Sequence, residues 1–368
     1  MKNEVPAELK QKTLFRAGDM GYKTFRIPAI ACTTKGALLA ACSARKDYSD
    51  WADIDLVMRR SEDCGETWSE PQMLVGEDLE DTVDNSSFVV DRETGGIFLF
   101  HQIDYAKLLY CRSDDDGRTF GDAVDVTDIL EIYKKDYPWV VVAPGPGHGI
   151  QLRSGRLVLA LWMSDGTGPS GDKGRAAHRP SEVFTIFSDD HGKTWEPGDV
   201  VARTTPEFKY PSESSLVELE DGRVMINMRS ESAPYRRLMS ISPDGATGWS
   251  KPEFVEEQFE PVCFGAICRL PGEKGQLVFI NPDSRENEKI GWELHNARIR
   301  ENLTAYVSLD DGKTWPIRKV IDPGVAGYAD VIDGPDGALY CLYEHGGEMA
   351  YNDRLSVVKL TREWLLGE

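Results

Sequence analysis

Ser61-Glu-Asp-Cys-Gly-Glu-Thr-Trp68 is a turn phrase whose return along the chain decides the fold. It recurs as Ser113-Asp-Asp-Asp-Gly-Arg-Thr-Phe120, Ser188-Asp-Asp-His-Gly-Lys-Thr-Trp195 and Ser308-Leu-Asp-Asp-Gly-Lys-Thr-Trp315, with a degenerate copy at Ser242-Pro-Asp-Gly-Ala-Thr-Gly-Trp249. Successive copies begin 52, 75, 54 and 66 residues apart, close to the span of a four-stranded propeller blade with variable loops. Each phrase carries turn chemistry. Asp and Ser oxygens accept hydrogen bonds from nearby backbone N–H groups, Gly supplies φ > 0, and the closing Trp or Phe offers a large apolar anchor.

Short apolar or alternating runs flank the phrases: Ile54-Asp-Leu-Val-Met58, Phe184-Thr-Ile-Phe187, Arg223-Val-Met-Ile-Asn-Met228 and Ala305-Tyr-Val307. They read as strands broken by Gly, Pro and Asp turns. Helix signals are confined to Asp128–Lys135 and Thr361–Leu366, a turn or two each. No Gly/Ser-rich linker or composition shift divides the 368 residues, and about 60 residues per blade predicts one all-β domain over 1–368, a six-bladed β-propeller of four-stranded antiparallel blades.

The balance of 42 Lys and Arg against 62 Asp and Glu gives a formal charge of −20, which argues against nucleic acid as a partner because phosphate binding needs a basic face. No apolar run approaches the 18 residues that a membrane helix requires. Seven cysteines, odd in number and without CxxC spacing, argue against a disulfide framework or a structural zinc site. No metal and no cofactor is expected. The N-terminal stretch MKNEVPAELKQKTLFRAG carries charges where a secretory peptide has its apolar segment, so the expectation is a cytoplasmic protein, or a secreted or periplasmic one whose leader has been trimmed. The box residues themselves are scaffold, and function lies between them.

Between the boxes stand Tyr22-Lys-Thr-Phe-Arg-Ile-Pro28, Arg45-Lys-Asp-Tyr-Ser-Asp50 leading to Arg59-Arg-Ser61, Gly145-Pro-Gly-His-Gly-Ile-Gln-Leu152, Ser212-Glu-Ser-Ser-Leu-Val-Glu-Leu219, Asn227-Met-Arg-Ser230, Arg300-Glu-Asn-Leu-Thr304, Gly327-Tyr-Ala-Asp330 and Leu342-Tyr-Glu344. In this order, and together with the Asp boxes, they resemble the exo-sialidase (neuraminidase) family over nearly the whole chain. The resemblance implies hydrolysis of terminal α-linked sialic acids on glycans or oligosaccharides. It maps an arginine triad onto Arg26, Arg229 and Arg300. Such a triad suits a substrate whose anomeric carbon bears a carboxylate, because a planar guanidinium stays charged and offers parallel donors.

The same carboxylate would repel an anionic nucleophile, and sialidases depart from the two-carboxylate scheme by using a tyrosine. The resemblance places that nucleophile at Tyr328 and its activating base at Glu213. It places the proton donor at Asp50, five residues after Arg45 and nine before Arg59, with Asp47 as second choice and Asp53 and Asp55 as weaker competitors. A carboxyl whose pKa is raised by its surroundings is expected there. Arg45 is implied as a further substrate contact, and Glu344 as the partner that holds Arg26. Trp51, Asp84, Gln102, His148 and Trp162 are candidates to line the cavity, with His148 read as part of a backbone-positioning Gly/Pro loop. A related 2-keto-3-deoxy sugar acid, transfer to a sugar acceptor, and a catalytically silent binding propeller are the competing readings.

Overall fold

The computed structural model describes residues 5–6, 9–76, 81–170, 172–285, 299–346 and 352–367; part of the N-terminal stretch read for an export signal lies outside them. The described residues form an all-β, propeller-like fold. Four sheets follow in chain order. The first is built from Thr24–Cys32, Leu38–Arg45, Ile54–Ser61 and Gln72–Val75. The second is built from Val83–Val90, Ile97–Ile103, Lys107–Ser113 and Val124–Asp125, with Gly147–His148 added in parallel to its first strand. The third contains Val141–Pro144, Leu157–Ser164, Ser181–Ser188 and Glu196–Ala202, and the fourth Ser214–Glu218, Val224–Met228, Arg236–Ser242 and Glu253–Phe259. A seven-stranded sheet completes the circuit. Its long strand Ile317–Asp333 pairs with Glu301–Ser308 along its first half and with Leu339–His345 along its second.

The strands read as near-continuous apolar runs because each sheet is covered on both faces. In Ile97–Ile103, Ile97 and Leu99 join the core shared with the first sheet, while Phe98 and Phe100 join the core shared with the third. In Leu38–Arg45, Leu39 and Ala41 face the second sheet, and Leu38, Ala40 and Cys42 face the seven-stranded one. Alternation persists, but both alternating sets are apolar, and burying each large side chain contributes roughly 1.5–3 kcal/mol. The ring closes where the N-terminal strand Gln11–Arg16 pairs antiparallel with the C-terminal strand Arg354–Leu360.

The repeated phrases fold as expected. The third-position Asp of each box accepts from the Thr four residues on: Thr67 N to Asp63 at 2.8 Å, and Thr119 to Asp115, Thr194 to Asp190 and Thr314 to Asp310 at 2.9 Å. The degenerate copy makes the same bond one residue earlier, from Thr247 N to Asp244 at 2.7 Å. Its Gly245 still adopts φ 75°. The two helix signals appear as a 3-10 helix over Thr127–Lys135 and a short α-helix over Arg362–Leu366.

Candidate active site

The first strand of the first sheet breaks register between Arg26 and Ala29, and of the two residues between them Ile27 sits at φ 57°. A β-branched residue in the left-handed region is strained, and here its N–H is held by Glu344 Oε1 at 2.9 Å. Similar irregularities occur in three other strands. Asn85 (φ 58°) lies in the shift after Asp84, Asn302 (φ 57°) in the shift after Glu301, and Tyr328 in the shift between Ala326 and Ala329. Bulges re-aim side chains that a regular pleat would send into the inter-sheet cores. They account for the turn of Arg26 and Tyr328 toward a common cavity.

That cavity, of about 310 Å³, is lined by Arg26, Arg45, Asp50, Glu213, Arg229, Arg300 and Tyr328 among others. Glu213 and Arg229 extend the two arms of one hairpin, with Arg229 N bonding Glu213 O at 2.9 Å. Tyr328 lies on the floor, 5% exposed. Its hydroxyl donates to Glu213 Oε1 at 2.5 Å and accepts from Arg229 Nη1 at 2.6 Å, and Arg229 also pairs with the other carboxylate oxygen of Glu213. Arg26 and Arg300 stand over the Tyr328 ring, their guanidinium carbons 5.2 and 5.3 Å from its centroid. Burial pushes the phenol well above its ordinary pKa, while Arg229, Arg300 and Arg26 pull against that shift.

Glu344 is fully buried and accepts from Arg26 Nε at 3.1 Å, from Arg26 Nη2 at 3.3 Å and from Tyr328 N at 3.1 Å. One carboxylate thereby fixes the strained turn, an arginine and the tyrosine backbone together. Across the pocket, Asp50 sits in the hairpin loop 46–53 with its side chain 45% exposed. Arg45 Nη1 donates to it at 2.7 Å, and Arg45 is anchored behind by Asp84 at 2.6 Å. The expectation of a raised acid is not met. Burial raises the Asp50 carboxyl, but Arg45 and Arg26 outweigh it and hold the group well below the usual carboxylate range.

Asp47 is exposed and paired with Lys23 at 2.6 Å, and Asp55 is buried in its strand beneath the Tyr22 hydroxyl, so neither lines the cavity. Asp84 lies behind Arg45, Gln102 is buried with its amide oxygen on Tyr105 N, and His148 bonds Asp330 at 2.7 Å and lines a separate groove. Trp51 and Trp162 do line the pocket. They join Tyr105 and His178 in an aromatic wall, with Tyr105–His178 and Trp51–Tyr105 centroids 4.4 and 4.9 Å apart. Tyr105, His178, Arg179 and Glu231 were not anticipated from the sequence. They come from connections without periodicity, and only His178 and Arg179 left a trace, the lengthened 75-residue interval between the second and third boxes.

A sequence profile described as BNR repeat-like domain matches residues 36–341. Among curated proteins, a sialidase of Micromonospora viridifaciens is 29% identical over 91% of this chain and 52% of its own length, and a sialidase of Bacteroides fragilis 26% over 81% and 55%. The chain thus spans about half the length of these two relatives. A sialidase-2 of Cricetulus griseus is 26% identical, covering 91% of this chain and 92% of its own. Among solved structures, the Hadza microbial sialidase Hz136 superposes with TM-score 0.77 at 25% identity, over 96% of this chain and 69% of that one. The Ruminococcus gnavus intramolecular trans-sialidase superposes with TM-score 0.74 at 16% identity, over 96% and 97%.

Proposed function

Because the chain belongs to the BNR repeat-like domain family, we propose that it is a retaining exo-sialidase working on a six-bladed propeller, the seven-stranded sheet counting as two blades that share the strand Ile317–Asp333. The observation that carries the reading is the Tyr328–Glu213–Arg229 set on the pocket floor with Arg26 and Arg300 above it and Asp50 across from it. Arg26, Arg229 and Arg300 clamp the substrate carboxylate and so fix the anomeric carbon over the Tyr328 hydroxyl. Glu213 takes the phenolic proton through the bond already in place as the oxygen attacks. The phenol is neutral until that moment, which spares the approach of a second anion to the substrate's own carboxylate.

Asp50 protonates the departing glycosidic oxygen and then serves as base for the water that opens the tyrosyl intermediate. Beside Arg45 and Arg26 this carboxyl is held well below the usual carboxylate range. A substrate carboxylate that engages Arg26 withdraws part of that positive field, and the bound sugar displaces water from the pocket. Both effects raise the Asp50 pKa at the stage where an acid is needed. The substrates are sialylated glycans or oligosaccharides.

The test is product stereochemistry followed by NMR, together with Tyr328→Phe assayed on an activated aryl sialoside. The expected results are initial release of the α-anomer and loss of most turnover in a variant that remains folded. First release of the β-anomer, or near-normal turnover without the hydroxyl, rejects the tyrosyl route.

A further inference from the structure

The hairpin loop 46–53 that carries Asp50 reaches the pocket from the first sheet, and residues 172–180, of the connection that follows Leu157–Ser164, reach it from the third. The two meet at Ser49. Its hydroxyl donates to Asp172 Oδ1 at 2.7 Å and accepts from Trp51 N at 3.0 Å, so one side chain bridges the residues on either side of Asp50 to the opposite wall. Asp172 is set by its own turn, accepting at its carbonyl from Ser170 Oγ at 2.9 Å and from Arg175 N at 3.1 Å. Arg175 lies over the Trp51 ring at 5.1 Å, and His178 of the same connection packs against that ring at 5.8 Å. At its far end the loop is tied by Thr82 Oγ1 to Ala52 O at 2.7 Å.

We propose that Asp172 is a positioning residue for catalysis, clasping Ser49 so that the backbone of the acid loop holds Asp50 at the pocket mouth. The inference rests on Asp50 being the acid. The Arg45 ion pair holds Asp50 well only while the carboxyl is charged. Once Asp50 carries the proton it must donate, that attraction weakens, and its place depends on the loop backbone. The clasp then decides whether the proton reaches the leaving oxygen. Displacement on the order of 1 Å costs a positioned group up to about a hundredfold.

The experiment uses the full chain with Asp172→Ala, Ser49→Ala and Asp172→Asn, whose amide oxygen still accepts from Ser49. Amide hydrogen exchange over residues 46–53 is measured, and kcat is compared on an aryl sialoside, whose leaving group needs little protonation, and on sialyllactose, whose leaving group needs much. Expected are about tenfold or faster exchange in the loop for both Ala variants, with thermal midpoints unchanged. Turnover of sialyllactose should fall about tenfold or more and of the aryl substrate less than about threefold, while Asp172→Asn stays within about threefold of the parent on both. Unchanged loop exchange, equal losses on the two substrates, or Asp172→Asn behaving as Asp172→Ala overturns the clasp. If the parent chain turns over neither sialoside, the catalytic reading falls, and the exchange measurement alone decides whether Asp172 holds the loop.

Discussion

Asp50 shows how little a residue's identity says about its state. The resemblance, matched through the spacing from Arg45 and to Arg59, pointed to it among four nearby aspartates, and it alone of them lines the pocket. Its protonation in the free protein was not legible, because the arginine that fixes its spacing also depresses its pKa. This has a kinetic consequence. The alkaline limb of kcat/KM reports the free enzyme, in which Asp50 gives up its proton at low pH, whereas that of kcat reports the bound state, in which the substrate carboxylate has offset part of the arginine field. The limb should lie at higher pH in kcat than in kcat/KM on sialyllactose. Coincident limbs in the two profiles would remove Asp50 as the titrating acid. Glu344, read from the resemblance as the partner of Arg26, has a reach that the sequence did not announce. Beyond Arg26 it also carries the N–H groups of Ile27 and Tyr328, a burden set by strand bulges that no spacing announces.

At the scale of elements, the boxes were legible because turn chemistry is local, and even the degenerate copy keeps its Asp-to-Thr bond. What the phrases do for the neighbouring sheet was not legible. A Cβ on Gly117 would lie 2.6 Å from Leu39 of the preceding sheet, and one on Gly312 would lie 2.6 Å from Met225; Gly192 is pressed likewise against the Phe98 ring. The box glycines therefore serve twice, for positive φ and for close approach between sheets. Gly222 isolates the first effect, with φ 89° and nothing within 4 Å of an added Cβ. Gly222→Ala should cost about 1 kcal/mol, whereas Gly192→Ala adds overpacking of about 1–3 kcal/mol to the same backbone term. Equal shifts of the two variants in denaturant titration would show that the ring yields freely and that the box does not lock the sheets. The segment 172–180 is the counterpart with no local signal. It appears in the sequence only as excess length, although it supplies His178, Arg179 and the Ser49 clasp.

The whole molecule carries two electrostatic balances that no single segment reveals. His101 and His345 are buried and their pKa values are pushed down to about 4, chiefly by burial, against about 6.5 in the unfolded chain. Between pH 6.5 and 4 the unfolded state takes up protons that the folded state refuses, so stability is fully present above pH 6.5 and is lost on acidification, by up to about 3 kcal/mol for each histidine. Glu182 works in the opposite sense. Burial pushes its pKa up to about 7, so its contribution falls as pH rises from 4.5 toward 7. Unfolding free energy should be lower at pH 5 than at pH 7, and Glu182→Gln should deepen that fall; a shallower fall in the variant contradicts the sign. The second balance concerns approach of the substrate. The chain bears −20 overall, while the pocket lining holds five arginines against four carboxylates, a local excess of one positive charge. Beyond a Debye length the proposed sugar-acid substrate meets the acidic shell, and within it the arginines. Raising salt from about 10 to about 150 mM shortens the Debye length from about 30 to about 8 Å, which removes the repulsion at long range and leaves the clamp largely intact. kcat/KM for a monosialyl substrate should therefore rise about two- to threefold over that range, and more for a substrate with two sialic acids, since each added charge meets the same shell. A monotonic fall with salt would mean that the arginines at the mouth govern encounter, and that the net charge of the shell is without consequence for catalysis.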